Sequence, residues 1–211
     1  MSLVVEETKK VELIPAGVHM AVCHAIIDIG EQYSEKFDKW NRKVIVIWEL
    51  PNCKGTDKDG NEFTRKVSKE YSAFLGEKTN LEKDLNAWRG RPFTSEERKG
   101  FNLLNLLGIG CQMQIIHKEK EKGSFAEIGG IMALPAGMTI QYVDEPYGFD
   151  MDTEESWESL KKMPAWILDK VKKSSQYQNS LLQLYVDANI EKPSEENGGM
   201  VTVENQEMPW N

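Results

Sequence analysis

The sequence predicts a mainly β protein built on a five-stranded barrel, with one helix between its third and fourth strands. Two observations predict this fold. First, five strand-length segments are rich in β-branched and other apolar residues and are separated by polar, turn-forming stretches. The five segments are Val18–Ile29, Lys43–Leu50, Phe63–Leu75, Cys111–Lys118 and Ser124–Leu134. Second, a single segment with helical spacing lies between the third and the fourth of them.

The predicted helix begins near residue 80 and ends at Gly90. Its apolar residues recur at the i, i+4, i+7 spacing that lines one helical face. These residues are Leu81, Leu85 and Trp88. Thr79 or Asn80 is a suitable N-cap, and Pro92 prevents the helix from continuing. An isolated helix at this point of a β chain is typical of a small barrel closed at one end, so we expect an OB-like barrel over residues 1–140.

The strand at Lys43–Leu50 is apolar on both faces, which predicts burial on both sides of the sheet. Trp48 lies in this strand, and we expect it in the core together with Trp88 of the helix. The preceding segment, Gly30–Asn41, is polar and is predicted to be a loop. Its three aromatic residues are candidates for exposed rings: Tyr33, Phe37 and Trp40. Pro51–Glu62 is predicted to be a turn-rich connection.

The composition changes after the predicted barrel. Seven acidic residues and no basic residue lie between Ile140 and Leu160, within a chain of formal net charge −8. Pro164–Ser174 is predicted to be a helix that begins at its proline, and Leu181–Val186 is either a short helix or a strand. We therefore expect an acidic and helical extension at 141–186 that packs on or near the barrel, followed by a disordered acidic tail at 187–211.

Length and composition set the broad class. A chain of 211 residues buries one full-sized core. Its three widely spaced cysteines are typical of reduced thiols rather than of a disulfide framework. No apolar run approaches membrane-spanning length, and the first residues lack the apolar core of a signal peptide. These features predict a cytoplasmic protein that does not associate with membranes.

Motifs for catalysis are absent from the sequence. It contains no phosphate-binding G-x-x-x-x-G-K-[ST] loop, no G-x-S-x-G elbow and no C-x-x-C pair. We therefore expect a protein that is not an enzyme and that has no cofactor or metal. One alternative stays open: acidic residues in three strands form a metal-dependent nuclease site if they meet beside Lys66 or Lys69. These acids are Asp28, Glu49 and Glu70.

Basic and aromatic residues are interleaved along the predicted barrel. Cations attract the phosphates of single-stranded nucleic acid while flat rings stack on its bases, and OB barrels bind on strands 2 and 3 and the neighbouring loops. The candidate nucleic-acid-binding residues are Trp40, Arg42, Lys43, Arg65, Lys66, Lys69, Tyr71, Arg89, Arg91 and Phe125. We expect replacement of Arg65, Lys66 and Lys69 to weaken binding far more than replacement of Lys172 and Lys173.

Several stretches resemble phage-encoded OB-fold proteins of replication and recombination cassettes. These stretches, which fall within residues 15–177, are WELP, VSKEY, EKTNLEKDLNAWRGRPFTSEERKGF, LLG and PAWILDKVKKSSQY. The resemblance implies non-catalytic binding of single-stranded DNA in phage or prophage DNA replication or recombination, in the cytoplasm of a bacterial host. It does not indicate which side chains contact DNA.

The end of the chain is similar to the acidic tails with apolar tips by which bacterial single-stranded-DNA-binding proteins recruit replication and repair enzymes. Its candidate partner-binding residues are Met208, Pro209 and Trp210, but Asn211 follows the ring and no dense aspartate run precedes it. An adaptor that acts through the acidic C-terminal segments is thus a second alternative. The sequence leaves a homo-oligomer open.

Overall fold

The structure, a computed structural model, describes residues 13–57, 59–120 and 123–190, and the backbone of 200–202. The fold is mainly β, as predicted. In chain order the elements are β1 (Gly17–Ser34), β2 (Lys39–Thr56), β3 (Glu62–Ser72), α1 (Asn80–Arg89), α2 (Ser95–Arg98), β4 (Gly110–Lys120), β5 (Gly123–Met132), β6 (Tyr147–Phe149), α3 (Ala165–Lys172), α4 (Leu181–Asn189) and β7 (Met200–Thr202). Two 3-10 helices, Leu103–Leu106 and Glu154–Lys162, complete the described elements.

The strands form one sheet in the order β5-β4-β1-β2-β3-β7, with β6 paired to β1. β1 is long enough to serve two neighbours: Gly17–Val22 pairs with β4, and the strand from Val22 to its end pairs with β2. The pairs among β1 to β5 are antiparallel, whereas β6 and β7 add in parallel. Within the described residues β3 and β5 do not pair, so the sheet is open rather than a closed ring.

The prediction of a loop at Gly30–Asn41 is wrong. β1 and β2 continue through most of it as an antiparallel arm, with Tyr33 opposite Trp40 and a turn at residues 35–38. The arm extends beyond the rest of the sheet, so neither of its two faces packs on a core and neither needs apolar residues. Its composition is therefore polar, which predicts a loop although the backbone pairs. The predicted connection at Pro51–Glu62 is wrong in part for a related reason, since β2 resumes pairing with β3 at Lys54 after a register shift.

The predicted helix is confirmed as α1. Thr79 is the N-cap, and its hydroxyl accepts a hydrogen bond from the backbone N–H of Glu82. Gly90 ends the helix with a positive φ of 69°, a left-handed conformation that glycine adopts without strain. Trp88 is buried, packs against Trp48 with ring centroids 5.8 Å apart, and donates from its indole nitrogen to the carbonyl of Gly110 at 2.9 Å.

β2 separates two apolar cores, which confirms its predicted burial on both faces. Val44, Val46 and Trp48 face the core beneath α1, whereas Ile45 and Ile47 face the core formed with the C-terminal extension. Alternate residues of a strand point to opposite faces, so a strand buried on both sides has no polar alternation.

The extension, residues 141–186 and the rest of α4, packs on one face of β1 and β2. It does so through β6, the second 3-10 helix, α3 and α4. Its most deeply buried side chains are Phe149, Leu160, Ile167, Leu168, Val171, Leu182 and Val186. α3 begins directly after Pro164, as predicted, and Leu181–Val186 forms a helix rather than a strand. The predicted disordered tail at 187–211 is wrong in part, because α4 continues to Asn189 and residues 200–202 form β7; residues 191–199 and 203–211 lie outside the described residues. Met208, Pro209 and Trp210 lie outside the described residues.

Candidate nucleic-acid interface

Three aromatic rings lie together at the end of the β1–β2 arm, as the sequence predicts exposed rings there. Tyr33, Phe37 and Trp40 are 48%, 49% and 48% exposed. The centroids of the Tyr33 and Trp40 rings are 5.4 Å apart, at an interplanar angle of 52°. Cross-strand pairing places these two rings side by side, because they are directly opposite in the ladder. We call residues 33–40 the aromatic tip.

Two lysines flank the central ring of the aromatic tip. The ammonium nitrogens of Lys36 and Lys39 lie 5.1 and 5.5 Å from the centroid of the Phe37 ring. Neither lysine forms an ion pair with a residue that the structure describes. The Tyr33 hydroxyl donates to the Asp38 carboxylate, and this hydrogen bond raises the pKa of Tyr33. The tip therefore combines exposed rings with two lysines that form no ion pair within the described part of the chain.

The cations predicted on strands 2 and 3 are paired with carboxylates. Arg42 reaches Asp28 at 2.5 Å and Asp152 of the extension at 2.7 Å. Lys66 pairs with Asp144, also in the extension, at 2.5 Å. A phosphate would have to displace these carboxylates, so Arg42 and Lys66 offer it less net attraction than an unpaired cation does.

Lys43 and Lys69 lie on opposite faces of the sheet. The Lys43 ammonium is 2.7 Å from Glu70, and the Lys69 ammonium is 2.6 Å from Asp84 of α1. Alternation along antiparallel strands accounts for the separation, since side chains two residues apart share a face and neighbours do not. The structure therefore does not bring these two lysines into one groove.

Arg65 and Tyr71 are buried. The Arg65 guanidinium donates from Nε to the carbonyl of Lys54 at 3.0 Å. The Tyr71 hydroxyl donates to Asp84 at 2.7 Å, and burial raises the pKa of Tyr71 well above its usual value. Both side chains serve internal contacts, so their predicted place in an open groove is corrected.

Arg89 and Arg91 hold the turn that follows α1. Both donate to the Glu97 carboxylate, at 2.5 and 2.7 Å, and Arg89 stacks 4.0 Å from the centroid of Phe93. The hydrogen bond from Arg91 is the main cause that lowers the pKa of Glu97 to about 2. Phe125 lies on β5, half-buried and across the hairpin from Lys118. These residues are not adjacent to the aromatic tip in the pairing of the strands.

The extension covers the face of β2 that points away from α1. The extension buries Ile45 and Ile47 of β2 beneath Phe149, Ile167 and neighbouring side chains. Exposing a large apolar side chain costs about 1.5–3 kcal/mol. The core on this face contains 17 buried residues, so the sheet and the extension bury this face of the sheet together.

The three carboxylates of the nuclease alternative have separate partners. Glu49 is fully buried and accepts backbone N–H groups of Val143 and Asp144 at 2.6 and 3.2 Å. Asp28 binds Arg42, while Glu70 binds the ammonium groups of Lys43 and Lys170. Among the described residues no group of three or more potential ligands is arranged to hold a metal ion. Glu49 therefore fastens the extension to the sheet.

A buried histidine lies beside this fastening. His24 is 8% exposed and its ring meets that of Tyr147 edge-on at a centroid distance of 5.4 Å. Burial, followed by the positive charge of Lys66, lowers the pKa of His24 from 6.5 to about 4. The folded protein thus keeps His24 neutral under conditions in which the unfolded chain protonates it.

This shift predicts a loss of stability between pH 6.5 and pH 4. In that window the unfolded state binds more protons than the folded state. The free energy of unfolding therefore decreases as the pH is lowered from 6.5 to 4, by at most roughly 3 kcal/mol. Urea denaturation across this range should show the loss in the parent protein and a flatter profile in His24→Gln. His19→Gln, which removes a surface histidine, should retain the parent profile. An unchanged slope in His24→Gln would contradict the assignment.

No protein-family model matches the chain, and no curated protein matches it. In the part of the chain that the structure describes, none of the helices has both the length and the apolar surface needed to cross a lipid bilayer.

Proposed function

We propose that this protein binds single-stranded DNA, without catalysis, through the aromatic tip. The observation that carries the proposal is the presence of three half-exposed rings on one arm, flanked by Lys36 and Lys39. Stacking on a protein ring contributes about 1–3 kcal/mol per base. Paired bases in a duplex do not offer their faces to the tip, so this chemistry favours single strands.

We also propose that residues 1–140 form an OB-like barrel. The strand order β5-β4-β1-β2-β3 supports this fold, because β1 pairs with both β2 and β4, and α1 lies between β3 and β4. The connection between the first two strands is one of the OB loops that bind oligonucleotides. The aromatic tip is that connection in this chain.

The biological setting follows from the sequence resemblance. A non-catalytic protein of phage or prophage DNA replication or recombination, working in the cytoplasm of a bacterial host, accords with a tip that binds single strands. It also accords with the separate partners of Asp28, Glu49 and Glu70. Residues 141–186 are then a structural layer that completes the fold over the second face of the sheet.

A direct titration tests the proposal. Labelled single-stranded DNA, duplex DNA and single-stranded RNA of roughly 16 nucleotides, the upper end of OB site sizes, are titrated with the full chain at low and moderate salt. We expect the protein to bind the single strands with much higher affinity than the duplex. Equal affinity for duplex and single strand would overturn the proposal, and degradation of the oligonucleotide on addition of Mg²⁺ would favour the nuclease.

A further inference from the structure

The aromatic tip has balanced charge. Lys36 and Lys39 are opposed within the same turn by Glu35 and Asp38, so residues 33–40 have a formal charge of zero. Stacking does not depend on net charge, but affinity for a polyanion at physiological salt normally does. The phosphates of a strand that is stacked on the tip therefore need cations from another element nearby.

The end of α3 is fastened to the base of the arm. Ser175 donates from its backbone N–H to the carbonyl of Glu31 at 3.2 Å and from its hydroxyl to the Glu31 carboxylate at 2.8 Å. Gln176 accepts the Glu31 backbone N–H at 2.7 Å, and Gln32 donates to the carbonyl of Lys170 at 3.0 Å. These four bonds hold the end of α3 and the residues that follow it beside β1. Tyr33 lies two residues beyond Glu31, which is about 7 Å along the strand.

Two lysines at this helix end are not paired. Lys173 is exposed and Lys172 is half-buried, and neither forms an ion pair with any described residue. Lys170 differs, since its ammonium lies 2.6 Å from Glu70. Leu168 and Val171 anchor the helix in the core, and Lys172, four residues after Leu168, borders the buried face. Lys172 and Lys173 thus lie within three residues of Ser175, which binds Glu31 at the base of the arm, and have no carboxylate partner among the described residues.

We infer that Lys172 and Lys173 bind the phosphates of the strand whose bases stack on the aromatic tip. This inference rests on the proposed function and extends its surface from the arm to the end of α3. It reverses the order expected from the sequence, in which Arg65, Lys66 and Lys69 contribute more than this pair. The reversal follows from burial of Arg65 and from the ion pairs of Lys66 and Lys69. The competing account is that both lysines only stabilise the C-terminus of a helix.

The test is the salt dependence of binding by the full chain. Anisotropy titrations of a labelled oligo-dT between about 50 and 200 mM salt give the slope of log K against log [salt], to which each phosphate contact on a single strand contributes about −0.7. In Lys172→Gln/Lys173→Gln we expect the slope to become shallower by about 1.4. The control Lys78→Gln/Lys83→Gln makes the same charge change at exposed, unpaired positions near α1, on the other side of the sheet.

The outcomes separate this inference from the proposed function. A shallower slope in Lys172→Gln/Lys173→Gln, with the control equal to the parent, supports the inference. Equal slopes in the two double variants overturn the inference. The proposed function still holds in that case if the parent binds single strands and loses binding when the tip rings are removed. Failure of the parent to bind any single strand overturns both. Circular dichroism of each variant checks that α3 is still folded.

Discussion

Replacement of the three tip rings by serine, Tyr33→Ser/Phe37→Ser/Trp40→Ser, is expected to weaken binding of single-stranded DNA by about 100-fold or more. Each stacked base contributes about 1–3 kcal/mol, and every 1.4 kcal/mol is a tenfold change in affinity. The Tyr33 and Trp40 rings touch each other, so their effects are not additive. A total near 3 kcal/mol is therefore a conservative expectation, and the measurement is the dissociation constant from anisotropy of a labelled oligo-dT.

A matched control removes three exposed apolar side chains from other surfaces. Tyr142→Ser/Leu181→Ser/Leu184→Ser changes residues that are 46%, 64% and 65% exposed. It should bind the oligonucleotide as tightly as the parent. Because the tip rings are half exposed and lie beyond the main sheet, the tip variant should also keep its unfolding midpoint. An equal loss of affinity in both variants would show that the tip is not the binding surface.

Local chemistry predicted the elements whose formation is decided locally. Thr79 and Gly90 define the ends of α1 by capping and by a positive φ, and both are visible in the sequence. The apolar run at residues 43–50 predicted a strand buried on both sides, which the two cores confirm. In contrast, the arm was mistaken for a loop because backbone pairing beyond a core requires no particular side chains.

The candidate site was predicted only in part. Exposure of Tyr33, Phe37 and Trp40 was expected from their polar neighbours and is confirmed. The state of the cations was not predictable, since it depends on partners far away in the chain: Asp144 is 78 residues from Lys66, and Asp152 is 110 residues from Arg42. Lys36 and Lys39 were missed, although their alternation with Phe37 was a readable signal.

Phe149→Ala is expected to lower the free energy of unfolding by about 3–5 kcal/mol, the usual cost of removing a buried aromatic side chain. Phe149 is 1% exposed, lies in β6 beside Ile27 of β1, and packs in the core shared by the extension and the sheet. For a chain of this size the loss corresponds to a fall in the unfolding midpoint of about 10 °C. Thermal unfolding followed by far-UV circular dichroism and by tryptophan fluorescence measures it.

The number of unfolding transitions shows whether the covered face of the sheet becomes accessible to DNA. If the sheet and the extension share one core, both probes should report a single transition at the same midpoint. Tyr142→Ala, at a surface position on the same segment, should shift the free energy of unfolding by less than about 0.5 kcal/mol. Two separate transitions would mean that the extension detaches while the sheet stays folded. The face of β2 and β3 would then be accessible, and the aromatic tip would compete with it as the binding surface.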